Sequence, residues 1–121
     1  PQTLPDFDLK TIKAVQGIGG VCNEGFKDWF DAFEYMKAEI NKSNYDICIL
    51  GCGAYGFPLA AHVKRMGKKA IHMGGATQML FGIKGKRWED EYGEFMNEHW
   101  IRPSKEETPI NAMKIENGCY W

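Results

Sequence analysis

The sequence lacks any apolar run of the ~20 residues that a membrane-spanning helix needs, and its N-terminus lacks the basic and apolar regions of a secretory signal. It also lacks an excess of one charge, because 15 Lys and Arg residues oppose 16 Asp and Glu residues. A chain without a basic field is not typical of proteins whose main partner is nucleic acid. We therefore expect a cytoplasmic protein with no membrane span and no nucleic-acid partner.

Cysteine is present but lacks the spacing of a metal or disulfide framework. Cys22, Cys48, Cys52 and Cys119 match no zinc-ribbon or zinc-knuckle pattern, and a chain of 121 residues needs no disulfides to fold. We expect all of them to be reduced thiols. An initiator methionine is also missing, and the start at Pro1 favours a fragment of a longer protein whose upstream residues would complete the site.

The pattern of apolar residues predicts one α/β domain. The first ten residues, with Pro1 and Pro5, are typical of a linker or edge segment, and residues 11–121 are expected to form a single domain. Strands are predicted at Thr11–Gln16, Tyr45–Leu50 and Lys69–Met73, and an amphipathic helix is predicted at Phe26–Ile40. The continuous apolar run of Tyr45–Leu50 favours a parallel sheet with helices on both faces. Asn23 or Glu24 is the expected cap of the helix.

The segment Gly51–Gly56 (GCGAYG) matches the pattern GxGxxG between a predicted strand and a predicted helix. Glycines there permit a tight turn and close backbone approach, and a helix N-terminus offers free N–H groups to phosphate. A nicotinamide or flavin enzyme would place an acidic residue about 20 positions further on, yet Lys69–Met73 ends on glycine. A methyltransferase would place an acid before Gly51, where Leu50 stands. Another ligand with phosphate or ribose is favoured.

A second glycine turn follows the next predicted strand at Gly74 and Gly75. Thr77 is predicted to cap a short helix there, and Gln78 could read a base or sugar or could be a helix-surface amide. Because ligands of α/β sheets bind at the carboxyl ends of the strands, both turns are expected to open on one crevice.

Positive charge follows the second turn in Lys84, Lys86 and Arg87, which could neutralise a diphosphate, and Trp88 could stack on a ring or anchor the loop. No general base is identified. His62 and His72 are expected to be packed and hydrogen-bonded. Glu24, at a helix start after the Gly17–Gly20 loop, is a candidate base for the acceptor hydroxyl.

These residues carry a family resemblance. The stretch GCGAYGFPLAAHVKRMGKKAIHMGGATQMLFGIKGKRW, with NEHWIRP and the final GCYW, resembles the C-terminal part of bacterial GT-D-like glycosyltransferases over about Val15–Trp121. The resemblance implies a Rossmann-like three-layer domain that transfers a sugar from a nucleotide-sugar donor to an unknown glycan or small-molecule acceptor. The expected donor-binding residues are Gly51, Gly53, Ala54, Tyr55, Gly56, Gly74, Gly75, Thr77, Gln78, Lys84, Lys86 and Arg87.

GT-D enzymes proper use an Asp-x-Glu motif for metal and donor binding, and this sequence contains none. Mn²⁺ or Mg²⁺ is therefore expected only if such a motif lies upstream. The alternative is a non-catalytic nucleotide-binding or assembly module with a Rossmann-like fold.

Overall fold

The computed structural model describes residues 4–17 and 25–121. Its α-helices are α1 (Trp29–Lys42), α2 (Gly56–Arg65), α3 (Ala76–Leu80) and α4 (Lys86–Tyr92), and its strands are β1 (Ile47–Leu50) and β2 (Lys69–His72). Single 3-10 turns are formed by Gly53–Tyr55, Gly93–Phe95, Ala112–Lys114 and Glu116–Gly118. Every helix in the described part of the chain is too short or too polar to cross a bilayer.

Helix α1 confirms the amphipathic helix, with its start moved by three residues. Asp28 is its N-cap, because this residue is extended (φ −157°) and its carboxylate accepts a hydrogen bond from the Asp31 N–H at 2.9 Å. The predicted caps Asn23 and Glu24 lie outside the described residues. Ala32, Met36 and Ile40 form its buried stripe.

Strands β1 and β2 are parallel neighbours, in a register that pairs Ile47 with Lys69 and Leu50 with His72. Helix α2 connects them, packs on both strands and contacts α1. Leu50, Leu59 and Val63 join the buried stripe of α1 in a single core. The predicted order of strand, glycine turn, helix and strand is therefore confirmed.

The predicted layers are confirmed only in part. Residues 11–17 are not a strand, because only Ala14 and Val15 pack on the core from an irregular segment while residues 11–13 are exposed. In the described ranges the sheet has two strands. Its second face is open, with Ile47 48% and Ile49 38% exposed on β1 and Ile71 46% exposed on β2, so the expected burial of β1 on both faces is wrong for Ile47 and Ile49. The chain is a mixed α/β structure with a small parallel sheet, and the three-layer arrangement stays a prediction.

The C-terminal third returns to the carboxyl end of the sheet. Residues Gly82 and Lys84 bracket a parallel bridge between Ile83 and Ile101, in which Lys84 N–H donates to the Ile101 carbonyl at 2.7 Å and Ile101 N–H donates to the Gly82 carbonyl at 3.0 Å. His99 is exposed and lies outside the helices.

The chain then turns back at Glu116, Asn117 and Gly118, whose φ angles are 44°, 56° and 71°. This turn at Asn117-Gly118 brings the final aromatic residues against the second glycine turn.

Candidate functional site

Both glycine turns border one cavity of about 810 Å³. Its wall includes residues 51–55 of the first turn and Gly74, Gly75, Thr77 and Gln78 of the second. We call this space the two-turn cavity. The turns meet because β1 and β2 are parallel neighbours, so that their carboxyl ends lie side by side at one edge of the sheet.

The glycines Gly51, Gly56 and Gly75 are required by packing inside the chain. A Cβ at Gly51 would lie 2.5 Å from Thr77 Oγ1, and one at Gly56 would lie 2.2 Å from His72 Cε1. A Cβ at Gly75 would lie 2.7 Å from Tyr120 Cε1. None of these glycines has the positive φ that favours glycine. They allow side chains of the same chain to approach, and they interlock the two turns.

Gly53 and Gly74 differ from these packing glycines. Their φ angles are +53° and +55°, and a Cβ at either position would meet nothing within 4 Å. Both line the two-turn cavity. The main-chain N–H groups of Gly53 and Ala54 precede the first hydrogen bond of the 3-10 turn, which runs from Tyr55 N–H to the Cys52 carbonyl. These two glycines are therefore where a ligand could approach the backbone.

Thr77 and Gln78 hold the second turn together. The predicted cap at Thr77 is wrong, because Gly75 is the N-cap of α3 and Thr77 lies within the helix with its buried hydroxyl against Gly51. The Gln78 amide donates to the Tyr120 carbonyl at 2.8 Å and accepts from Trp88 Nε1–H at 3.2 Å. Both ends of this amide have a partner, so Gln78 joins α3 to α4 and to the C-terminus.

Tyr55 contributes its backbone to the first turn and its ring to the core. The side chain is 7% exposed and stacks on Trp29, with ring centroids 4.9 Å apart and planes at 4°. Trp29 and Asp28 line the cavity beside it. The start of α1 therefore forms a wall that the glycine patterns alone did not predict.

The C-terminal residues Tyr120 and Trp121 form another wall of the cavity. The Trp121 indole N–H donates to the Glu107 carbonyl at 3.2 Å, and Arg87 N–H donates to the Cys119 carbonyl at 3.1 Å. The rings of Tyr120 and Trp121 pack edge to face, with their centroids 6.0 Å apart. The dipeptide Asn117-Gly118 is typical of a turn, but it does not indicate which part of the chain these aromatic residues contact.

The predicted cationic cluster is not a single surface of the cavity. Lys84, Lys86 and Arg87 are absent from its described lining. The Arg87 guanidinium donates to the Tyr120 hydroxyl at 3.2 Å and forms an ion pair with Glu116. Arg87 therefore supports the C-terminal wall, and diphosphate binding by Lys84 and Lys86 stays a prediction.

Of the described residues that line the cavity, Arg102 alone carries a positive charge. It forms an ion pair with Glu89 of α4, and both side chains are partly exposed, at 51% and 31%. Carboxylates of the lining are Asp28, Glu107 and Glu116. No local pattern could identify Arg102, because the Ile83–Ile101 bridge that places it is non-local.

The cysteines of the site are poor nucleophiles. Burial, with a contribution from Cys48, raises the pKa of the Cys52 thiol to about 11, and burial also raises the pKa of Cys48. Both thiols are protonated at neutral pH, and only the thiolate attacks. Cys48, Cys52 and Cys119 are free thiols, whereas Cys22 lies outside the described residues.

His62 and His72 both make the hydrogen bonds expected of them, although His72 is exposed. His62 Nε2 lies 2.9 Å from Asn41 Oδ1, and His72 Nδ1 lies 3.3 Å from the Leu50 carbonyl. Burial lowers the pKa of His62. Neither side chain belongs to the described lining of the cavity.

Neither a general base nor a divalent-metal site can be assigned among the described residues. Glu24 lies outside the described residues. Within residues 4–17 and 25–121, no three His, Cys, Asp or Glu side chains are grouped so that they could hold a metal ion. The described residues therefore do not fit Mn²⁺ or Mg²⁺, and we derive no step through either ion.

Comparisons with known proteins add no relative. No family model matches the sequence, and no curated protein and no solved structure gave a match.

Proposed function

We propose that this chain is a nucleotide-sugar-binding domain of glycosyltransferase type, with its donor site in the two-turn cavity. The observation that carries the proposal is that both glycine turns line the same cavity of about 810 Å³. This volume lies within the roughly 300–1,000 Å³ of small-molecule sites. Its position outside the carboxyl ends of parallel strands is also typical of such sites.

The diphosphate of the donor would lie against the open glycines. Gly53 and Gly74 leave room for close approach, and the N–H groups of Gly53 and Ala54 point to hydrogen bonding with phosphate oxygens. In a transfer reaction such donors would stabilise the negative charge that develops on the leaving diphosphate. The rings of Tyr120 and Trp121 supply flat apolar surface for a base or a sugar.

Calorimetry against UDP, GDP and their sugars, with and without Mn²⁺, tests the proposal. We expect binding, and we expect Ala54→Glu to weaken it at least about tenfold because a carboxylate would face the phosphates. Ala54 is exposed, so the variant should keep its fold. Phe57→Glu is the matched control, since Phe57 is 76% exposed and outside the described lining.

Absence of binding to every nucleotide, or equal binding by the two variants, would contradict the proposal. Catalysis is a separate question that release of UDP or GDP from a bound donor answers. Turnover dependent on an acceptor would support a transferase. Binding without turnover would favour the non-catalytic nucleotide-binding module.

A further inference from the structure

We infer that Arg102 binds the anionic group of the ligand, and that Glu89 competes with that anion for the same guanidinium. The inference deepens the proposed function and rests on it for the choice of ligand. The backbone N–H groups of the glycine turns keep their proposed role in phosphate binding. It assigns the positive charge of the site to a residue outside the Lys84–Arg87 cluster.

The position of Arg102 suits a residue that binds an anion. Arg102 lines the two-turn cavity and is its single cation among the described residues, whereas Lys84 and Lys86 lie outside the lining. Its backbone is fixed by its neighbour, since Ile101 bonds on both sides of Ile83, directly after the second glycine turn. Arg102 is therefore held at the cavity by the main chain and needs no ligand to bring it there.

The guanidinium of Arg102 is also more available to a ligand than that of Arg87. Arg87 is occupied by Glu116 and by the hydroxyl of Tyr120. Arg102 has Glu89 as its ion-pair partner, and the Arg102 side chain is 51% exposed. An exposed pair of this kind contributes little to stability, so an anion can displace the Glu89 carboxylate with little loss of free energy. Arginine also presents a planar fork of donors that matches a phosphate.

The described wall of the cavity carries more negative than positive side chains. Asp28, Glu107 and Glu116 are also in the wall. A dianion would be repelled by these carboxylates wherever no cation intervenes. Glu116 is already paired with Arg87, so Arg102 is the described lining residue that can offset Asp28 and Glu107, and the diphosphate should contact it.

The test is calorimetry of the full chain at low salt with inorganic pyrophosphate and with UDP. Arg102→Gln should weaken both at least about tenfold, as expected for loss of charge-assisted hydrogen bonds. Glu89→Gln should tighten both by about two- to fivefold, because it frees the guanidinium from a weak ion pair. Lys105→Gln and Glu91→Gln, which change the same charges at exposed sites nearby, should leave both affinities unchanged.

Pyrophosphate separates this inference from the proposed function. If pyrophosphate binding depends on Arg102 while no nucleotide sugar binds, the inference stands and the proposed function fails. If nucleotide sugars bind with equal affinity to Arg102→Gln, the inference is overturned and the proposed function stands. It is also overturned if Lys84→Gln or Lys86→Gln removes binding in its place, if Glu89→Gln weakens binding, or if the unaltered chain binds no pyrophosphate.

Discussion

Gly51 and Thr77 should be energetically coupled, so that replacing Gly51 by alanine is harmful only when the Thr77 side chain is present. A Cβ at Gly51 would lie 2.5 Å from Thr77 Oγ1, 2.6 Å from its Cβ and 3.0 Å from its Cγ2. The Thr77 Cβ is fixed to the backbone of α3 and cannot rotate away. Overpacking of this kind costs about 1–3 kcal/mol.

Chain entropy acts in the opposite direction. Gly51 does not have a positive φ, so alanine fits its backbone and would stabilise the fold by about 0.4–1 kcal/mol through the unfolded state. The net expected effect of Gly51→Ala is a loss of about 1–2 kcal/mol. In the background Thr77→Gly, where the clash is gone, the same substitution should stabilise by about 0.4–1 kcal/mol.

Urea unfolding of the four proteins of this double-mutant cycle measures the coupling. With a slope of about 2 kcal/mol/M, the loss in Gly51→Ala lowers the midpoint by roughly 0.5–1 M. Gly53→Ala is the internal control, because its φ is +53° and a Cβ there meets nothing within 4 Å. Its cost of about 1–2 kcal/mol comes from the left-handed backbone and should be the same in both backgrounds. Equal costs of Gly51→Ala in both backgrounds would refute the packing explanation.

Two further predictions concern single side chains. Tyr45→Phe should raise the free energy of unfolding by about 1 kcal/mol, because the Tyr45 hydroxyl is buried without a hydrogen-bond partner among the described residues. The phenylalanine ring would keep the contact with Lys68, whose Nζ lies 4.2 Å from the centroid of the Tyr45 ring. A lower urea midpoint would show that the hydroxyl has a partner. The rate of alkylation of Cys52 by iodoacetamide, followed by mass spectrometry, should be low at neutral pH. It should increase as the pH approaches the thiol pKa of about 11. Because this pKa exceeds the value of about 8.5 of an unfolded thiol, the protonated thiol contributes fully to stability below about pH 8.5. That contribution is lost as the pH rises towards 11. Rapid alkylation at pH 7 would contradict the burial of the thiol.

Local patterns predicted the helices and strands that short-range periodicity determines. The apolar spacing of α1 and the succession of β1, glycine turn, α2 and β2 could be read directly, because each depends on residues a few positions apart. The strand at Thr11–Gln16 could not be settled in this way. Its β-branched residues allow a strand, but a strand also needs a partner edge, and the structure uses Ala14 and Val15 as loop residues on the core instead.

The charges of the site show the same limit. Lys84, Lys86 and Arg87 are close in the sequence, yet the guanidinium of Arg87 pairs with Glu116, which is 29 residues away. Arg102 reaches the cavity through a bridge that joins two distant segments. Proximity along the chain indicates which charges are near one another, but it does not indicate which of them face a ligand.

The glycines of the two turns divide by the reason for which each is needed, and this division changes what the GxGxxG pattern means. Gly51 and Gly75 have ordinary backbone angles and make room for Thr77 and Tyr120 of the same chain. Gly53 and Gly74 have left-handed angles and open space above them at the cavity. Because the packing glycines interlock the turns, the open glycines are held in place before any ligand arrives, and binding need not pay to order them. The GxGxxG pattern alone cannot distinguish these roles, because it does not show whether a glycine makes room for a phosphate or for a threonine side chain of the same chain.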